Sequence, residues 1–398
     1  MQVPEGWQLT SLKEVCNNQL QTGPFGSQLH SHEYVDEGVP VLMPKDLIDF
    51  RANIETAAKI TEERSNSLQK HWLHQGDIVF SRRGDVARFA LIDEKTGLAI
   101  CGTGCLRARP TENYMPKYLS YFLQLHQTKK WLEQNAVGQT MPNMNTEILG
   151  ELPLKLATNL EEQTKIAEIL STWDKAITTT EQLLANSQQQ KKALMQQLLT
   201  GKKRLLDDNG QRFTGEWKRA ELGELLDYLQ PTPYLVSSTD YDDAYKTPVL
   251  TAGKTFVLGY TNEEDGIFEE NLPVIIFDDF TTSSKFVGFP FKAKSSAMKI
   301  LTAKEHTCIK YVFEAMQMLQ FAVGGHQRHW ISIFSFLVIP LPSPEEQQKI
   351  AAVLTAADDE IRTLEQKIDQ LKQEKRALMQ QLLTGKKRVK VTSLEMEA

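Results

Sequence analysis

The chain has 398 residues, of which 41% are hydrophobic and 24% charged, a composition that excludes collagenous and disordered proteins and is typical of soluble globular ones. A chain of this length is too long for one ordinary core, so about two to four structural units are expected. The formal net charge of −6 argues against an independent nucleic-acid binder, whose domain is usually basic, although a basic face or partner subunits can still supply phosphate contacts.

Neither the composition nor the N-terminal stretch indicates a membrane or secreted protein. No apolar run reaches about 18 residues, the length that a membrane-spanning helix needs, and the first residues lack the basic and apolar regions of a secretory signal. The four cysteines form no CxxC pair, so reduced thiols are expected. We therefore predict a cytoplasmic protein without a membrane partner.

Residues 1–158 are predicted to form a first α/β domain. Short runs rich in Ile, Val and Phe, such as GDIVFSRRGD at 76–85, are typical of strands that end in turns. The stretch KYLSYFLQ at 117–124 has the apolar spacing of an amphipathic helix.

Residues 159–206 and 343–389 are each predicted to contain a long helix. In the second helix, apolar residues recur at alternating steps of four and three for about five heptads, with Lys375 as the interruption, which is the seam of a coiled coil. The seam residues are Ile350, Leu354, Ala357, Ile361, Leu364, Ile368, Leu371, Leu378 and Leu382. The first helix keeps the same register but carries Thr180, Ser187 and Lys191 in its seam. Because a single apolar stripe does not stabilise an isolated helix, we expect the two helices to pair with each other, antiparallel.

Both helices have recognisable ends. Each begins at a polar residue followed three positions later by Glu, the spacing of a capping box, and each ends before a glycine. The capping pairs are Asn159–Glu162 and Ser343–Glu346, and the glycines are Gly201 and Gly385. A helix of about 40 residues would be about 60 Å long.

The chain is an internal repeat. Twelve consecutive residues, 193–204, recur unchanged at 377–388. Residues 207–342 are predicted to be a second α/β domain, since TPVL at 247–250 and KYVFEAMQ at 310–317 echo VPVL and KYLSYFLQ of the first. Residues 390–398 form a C-terminal tail. The order domain, helix, domain, helix predicts a pseudo-twofold molecule with two diverged domains separated by paired helices.

No catalytic or metal-binding motif is recognisable. LTAGKTF at 250–256 lacks the first glycine of a phosphate-binding P-loop. Neither a dinucleotide-binding glycine motif nor the Asn/Asp-Pro-Pro-aromatic tetrapeptide of amino-methyltransferases is present. The histidines in HSH at 30–32 and HQRH at 326–329 have no companion ligand cluster. We therefore expect no enzyme activity, no metal and no cofactor bound by this chain.

This combination of motifs resembles the DNA-specificity subunit of type I restriction-modification enzymes. The resemblance is carried by NLEEQTKIAEIL and PSPEEQQKIAAVL, where the helices begin, and by the two copies of ALMQQLLTGKKR, where they end. It extends over essentially the whole chain.

The resemblance implies two target-recognition domains that each read one half of a split double-stranded DNA sequence, and paired helices that set the spacer between the halves. It also implies two methyltransferase subunits as partners, joined by restriction-translocase subunits. Those partners would carry S-adenosylmethionine, ATP and Mg.

Candidate DNA contacts are basic or amide side chains on loops, because these groups read base edges and bind phosphates. A solvated or structural role is the alternative for each. The candidates are Arg82, Arg83, Arg88, Gln139 and Asn143 in the first domain and Lys254, Lys285, Gln327, Arg328 and His329 in the second. The basic residues after each helix, 202–204 and 386–388, either complement the helix dipole or contact DNA or a partner.

Two further hypotheses remain open. A stand-alone regulator could use the helices to space two DNA readers, although it would need its own phosphate-neutralising charge. A DNA-modifying enzyme with an unrecognised site is the third, and it would have to act without partner subunits.

Overall fold

The computed structural model describes residues 3–26, 28–138, 142–251, 253, 255–319 and 329–391. Within these ranges, no helix has the length and apolar character to cross a membrane. The chain forms two compact units, Met1–Thr180 with Lys367–Ala398 and Glu181–Gln366. Each unit therefore combines one domain with part of each long helix.

The described residues of unit 1 form twelve strands and five short α-helices. The strands are β1 (Trp7–Ser11), β2 (Leu20–Thr22), β3 (Val39–Leu42), β4 (Leu47–Ile48), β5 (Arg51–Ala52), β6 (Ala58–Ile60), β7 (Trp72–Leu73), β8 (Ile78–Ser81), β9 (Phe89–Leu91), β10 (Ala99–Cys101), β11 (Cys105–Ala108) and β12 (Pro153–Ala157). The helices are α1 (Leu12–Val15), α2 (Glu62–Ser67), α3 (Pro116–Leu123), α4 (His126–Asn135) and α5 (Thr146–Gly150). They are followed by the first long helix, α6 (Leu160–Leu198).

The described residues of unit 2 follow a similar plan. Its strands are β13 (Lys218–Glu221), β14 (Leu226–Leu229), β15 (Thr247–Leu250), β16 (Val257–Thr261), β17 (Val274–Asp278), β18 (Ser284–Val287), β19 (Lys292–Ala293), β20 (Met298–Ala303) and β21 (Val338–Leu341). Its short helices are α7 (Leu222–Leu225), α8 (Ile309–Gln317) and α9 (His329–Ser332). The second long helix, α10 (Pro344–Leu382), has 39 residues, as has α6.

The two units share a sheet topology. In unit 1 the sheets are β1-β12, β6-β3-β10-β7 and β2-β11-β8-β9-β5-β4; in unit 2 they are β13-β21, β14-β20-β17-β18 and β16-β15-β19. The first strand of each domain pairs antiparallel with its last, Trp7 opposite Ala157 and Lys218 opposite Leu341. The central strands β8 and β17 are buried and run between antiparallel neighbours. The predicted α/β class and internal repeat are confirmed.

The long helices complete the hydrophobic core of each unit. In unit 1, residues near the start of α6 and around the end of α10 pack into one core with the domain: Ile166, Ala167, Leu170, Met379, Leu382 and Leu383. In unit 2, the end of α6 and the start of α10 do the same through Leu198, Leu199, Ile350, Ala351 and Leu354. The helix segments therefore run antiparallel within each unit, as the heptad pattern predicted.

A buried glutamate and an arginine lock the helix ends in both units, an arrangement that we call the Arg–Glu clasp. Glu162 and Glu346 are each 1% exposed. Arg388 binds Glu162 in unit 1 through Nε at 2.6 Å and Nη2 at 2.7 Å. Arg204 binds Glu346 in unit 2 at the same two distances. Both arginines belong to the repeated ALMQQLLTGKKR motif, so the clasp explains why the motif ends in Arg.

The clasp changes the predicted N-terminal caps of the helices. Asn159 and Ser343 do accept hydrogen bonds from the backbone N–H groups of Glu162 and Glu346, at 3.2 and 3.3 Å. The carboxylates, however, face the arginines instead of returning to the N-cap, because a bidentate charge-assisted bond is stronger than one to a neutral N–H. The predicted N-cap residues and their spacing are therefore present, and the glutamate at N3 of each helix binds an arginine.

The polar residues in the helix seams are paired. Lys375 lies 2.5 Å from Asp174, whose other oxygen accepts from the Tyr121 hydroxyl of α3 at 2.6 Å. In unit 2 the equivalent contact joins Lys191 and Asp358 at 2.6 Å.

The unit 2 contact extends to helix α8. Lys310 donates to Asp358 at 2.7 Å and to Glu314 at 2.6 Å. Burial opposes the charge on Asp358, but the two lysines outweigh it, and the pKa of Asp358 is lowered. The charged residues in the seams therefore connect α3 in unit 1 and α8 in unit 2 to the long helices.

We expect the clasp to be a main source of stability in unit 1. Arg388→Ala leaves the buried carboxylate of Glu162 without its counter-charge, which we expect to cost about 2 kcal/mol, less than in a fully buried pair because the Arg388 side chain is 43% exposed. Urea unfolding followed by fluorescence would measure this. Lys387→Ala, one position away and exposed, is the matched control and should change the free energy of unfolding by less than about 0.5 kcal/mol. Equal effects of the two substitutions would contradict this role of the clasp.

Candidate nucleic-acid interface

The candidate interface of unit 1 is built where two loops meet beyond the central strand β8. The loop after β8 carries Arg82 and Arg83, and Arg83 forms an antiparallel bridge with Asn143. The backbone N–H of Met144 donates to the Arg82 carbonyl at 2.8 Å, and that of Gly84 donates to the Pro142 carbonyl at 3.1 Å. The structure therefore brings Arg82, Arg83 and Asn143 together.

These side chains differ in accessibility. Arg83 is exposed, whereas Arg82 and Asn143 are half-buried. Arg82 Nε and Asn143 Oδ1 are buried and have no hydrogen-bond partner among the described residues. Buried polar atoms without partners are costly, so the junction of the two loops contains two polar atoms whose burial is unfavourable.

Arg88 lies on the same loop and borders a cleft. It donates to the Pro44 carbonyl at 3.2 Å and lies 3.4 Å from Asp85. The cleft, of about 420 Å³, is lined by Arg88 and Asp85 together with Phe50 and Lys129. Arg88 therefore makes contacts within the protein, but its side chain is still exposed to solvent.

Unit 2 makes the equivalent junction with different side chains. The residue after β17, Asp279, accepts from the His329 backbone N–H at 3.1 Å through its carbonyl. Its carboxylate accepts from the Trp330 backbone N–H at 2.9 Å and lies 3.5 Å from the ammonium of Lys299, which is buried. Asp279 is itself 1% exposed. This buried polar group joins the two loops, as Arg82 and Met144 do in unit 1.

His329, one of the predicted DNA contacts, faces inward in this structure. His329 is 0% exposed, and its Nδ1 lies 2.7 Å from the Asp279 carbonyl. A carbonyl only accepts, so Nδ1 carries the proton in this contact. The histidine faces inward because it anchors the start of α9.

The remaining candidates fall into two groups. Lys285 is exposed on β18, opposite Ile276, and remains a candidate phosphate contact. Gln139, Lys254, Gln327 and Arg328 lie outside the described residues. Within the described ranges, no group of three or more His, Cys, Asp or Glu side chains could hold a metal.

Phe280, Asp279 and Lys299 lie at this junction but are not among the DNA contacts predicted from the sequence. Phe280, 46% exposed, stands in the turn between β17 and β18. An aromatic residue within the polar turn sequence DDFTTSSK was the available signal.

The comparisons with known proteins agree with this architecture. The family model for the type I restriction modification DNA specificity domain matches residues 4–186 and 214–373. The chain belongs to this family, and the resemblance inferred from its helix motifs is confirmed.

Two specificity subunits illustrate the relationship. The type I restriction enzyme EcoR124I/EcoR124II specificity subunit of Escherichia coli is 53% identical over 143 residues, and this match spans 35% of each chain. The putative type I restriction enzyme MjaX specificity subunit of Methanocaldococcus jannaschii is 26% identical over 98% of this chain and 95% of that protein.

A solved structure supports the fold alone. The crystal structure of a type I restriction-modification S subunit from M. genitalium matches with a TM-score of 0.65 at 15% identity, over 96% of this chain and 98% of that one.

Arg83 is exposed at the junction of the two loops. We expect Arg83→Ala to weaken binding of the complete complex to its target by about 1–3 kcal/mol and to relax sequence preference at one position. Titration of labelled duplexes would measure both effects. Arg362→Ala is the control, since Arg362 is exposed on α10 and pairs only locally with Asp359. Unchanged affinity and unchanged preference in Arg83→Ala would exclude a base contact.

Proposed function

We propose that this chain is the non-catalytic specificity subunit of a type I restriction-modification complex in which each unit reads one half of a bipartite DNA target. The observation that carries the proposal is a contrast between the two units. Their clasps agree in residue type and in distance, whereas their recognition loops differ in sequence. Two units with the same helix contacts but different loops suit a protein that reads two different half-sites.

The helix pair would set the spacer between the half-sites and dock two methyltransferase subunits. Packing explains why the buried residues of the repeated motif are identical, but it does not explain identity at exposed positions. Five exposed residues are nevertheless the same in both copies: Ala193, Gln196, Gln197, Lys202 and Lys203, and Ala377, Gln380, Gln381, Lys386 and Lys387. Two copies of one partner require two equivalent surfaces, and these residues supply them.

The chemistry would belong to the partners. S-adenosylmethionine would be bound by the methyltransferase subunits, and ATP and Mg would be used by restriction-translocase subunits. The present chain would contribute DNA recognition. It would act in the cytoplasm, together with its DNA target and its partner subunits. A stand-alone two-headed regulator is the alternative, and genes for a methyltransferase and a helicase-nuclease beside this one would argue against it.

Single-molecule methylome sequencing of the host, with this gene intact and deleted, tests the proposal. We expect deletion to abolish methylation of one bipartite adenine motif, because the methyltransferase would lose its target recognition. Complementation with the intact gene should restore the same motif. In an active system, a methylome that is indifferent to the gene would favour the regulator.

The exposed lysine pairs provide a separate test of docking. Reversing Lys202 and Lys203 to Glu should remove one of the two methyltransferase copies, because a cationic contact becomes repulsive. Reversing Lys386 and Lys387 as well should remove both. Native mass spectrometry of the tagged complex would count the copies, with Lys372→Glu, exposed on α10 outside the repeated motif, as the control. Two copies retained in the fourfold variant would place the docking surface elsewhere.

A further inference from the structure

The turn that joins β17 to β18 presents one apolar side chain beside the candidate interface of unit 2. Phe280 is 46% exposed and follows Asp279 directly. Lys285, the candidate phosphate contact, lies on the strand that leaves the turn. The ring of Phe280 is therefore partly covered by its own unit and partly open to a partner.

The turn is held in one conformation by its own hydrogen bonds. Asp278 Oδ1 accepts from the backbone N–H groups of Phe280 at 2.8 Å and of Thr281 at 3.2 Å. The backbone of Asp278 also bonds Thr282 and Ser283, each at 2.9 Å. These contacts fix the direction in which Phe280 leaves the turn.

The turn also contains backbone strain. Thr282 has φ +59°, a left-handed conformation that β-branched residues rarely adopt. Strain of this kind persists only where the surroundings enforce it, and it is concentrated at functional sites.

Below the turn, the supporting residues are buried and packed. Asp279 receives the Trp330 N–H and faces the Lys299 ammonium. The Phe277 ring contacts those of Trp330 and Phe334, with centroids 5.3 and 4.9 Å apart. Phe280 therefore projects from a rigid base.

The position of Phe280 corresponds to that of Arg83 in unit 1. Arg82 and Asp279 are each the first residue after the central strand. The Arg82 carbonyl accepts the backbone N–H of Met144, just before α5, and the Asp279 carbonyl accepts that of His329, at the start of α9. Arg83 and Phe280 are the second residues. One unit thus presents a hydrogen-bonding side chain where the other presents a hydrocarbon ring.

We propose that Phe280 is a specificity-determining residue of unit 2 that contacts the C5-methyl group of a thymine in the major groove. This inference rests on the proposed function. A phenyl ring has no donor or acceptor for a base edge, and the thymine methyl is the apolar feature that the major groove offers. Since more than half of the Phe280 surface is covered by its own unit, the ring is suited to surface contact rather than to insertion between base pairs.

Replacement of thymine by deoxyuridine tests the contact, because it removes only the methyl group. The complete complex would be purified through a tag on this chain and bound to duplexes carrying the target found by methylome sequencing. Each thymine of the unit 2 half-site would be replaced in turn. For the wild type, one replacement should weaken binding about five-fold or more.

The Phe280→Ala complex should bind the unmodified duplex more weakly by a similar factor and be insensitive to that replacement. Phe280→Leu, which keeps an apolar contact, should retain part of the sensitivity. Phe336→Ala removes another exposed aromatic ring of unit 2, 61% exposed, and should behave as the wild type.

Three results would overturn the inference. Wild-type binding could be indifferent to every replacement, or Phe280→Ala could keep the full sensitivity. A 2-aminopurine probe in the half-site could instead brighten with the wild type and not with Phe280→Ala, which would show insertion between bases. Failure of the proposed function is distinguishable, since the wild-type complex would then recognise no bipartite target at all.

Discussion

The Arg–Glu clasp is the constraint on which the rest of the structure depends. Arg388 and Glu162 are 226 residues apart, and Arg204 and Glu346 are 142 apart, yet each pair closes one unit. A buried carboxylate is tolerable only with a counter-charge. Each domain core is therefore complete only when the end of one long helix meets the start of the other.

This construction separates what is shared from what varies. The helix segments, clasps and seam charges recur in both units with the same residues or the same kind of contact. The loops beyond β8 and β17 are anchored by short backbone hydrogen bonds and can differ without disturbing the core. Arg83 and Phe280 occupy equivalent positions, so the two units present different side chains from the same type of loop.

Much of the architecture could be predicted from local sequence patterns. The heptad spacing, the glycines at 201 and 385 and the repeated segments indicated two paired helices and two α/β domains, because these signals depend on near neighbours. Long-range contacts could not be predicted. Nothing near Glu162 in the sequence indicates that its carboxylate binds Arg388. Likewise, nothing near His329 indicates that its ring is buried against the Asp279 carbonyl. Phe280 was missed for the same reason, since its exposure depends on a turn conformation.

The proposed function requires that each unit reads its own half of the target. Methylome sequencing tests this in a host in which residues 218–341 are replaced by the corresponding segment of a specificity subunit with a different target. We expect one half of the methylated motif to change while the other half and the spacer stay the same. Changes in both halves, or in the spacer, would contradict it.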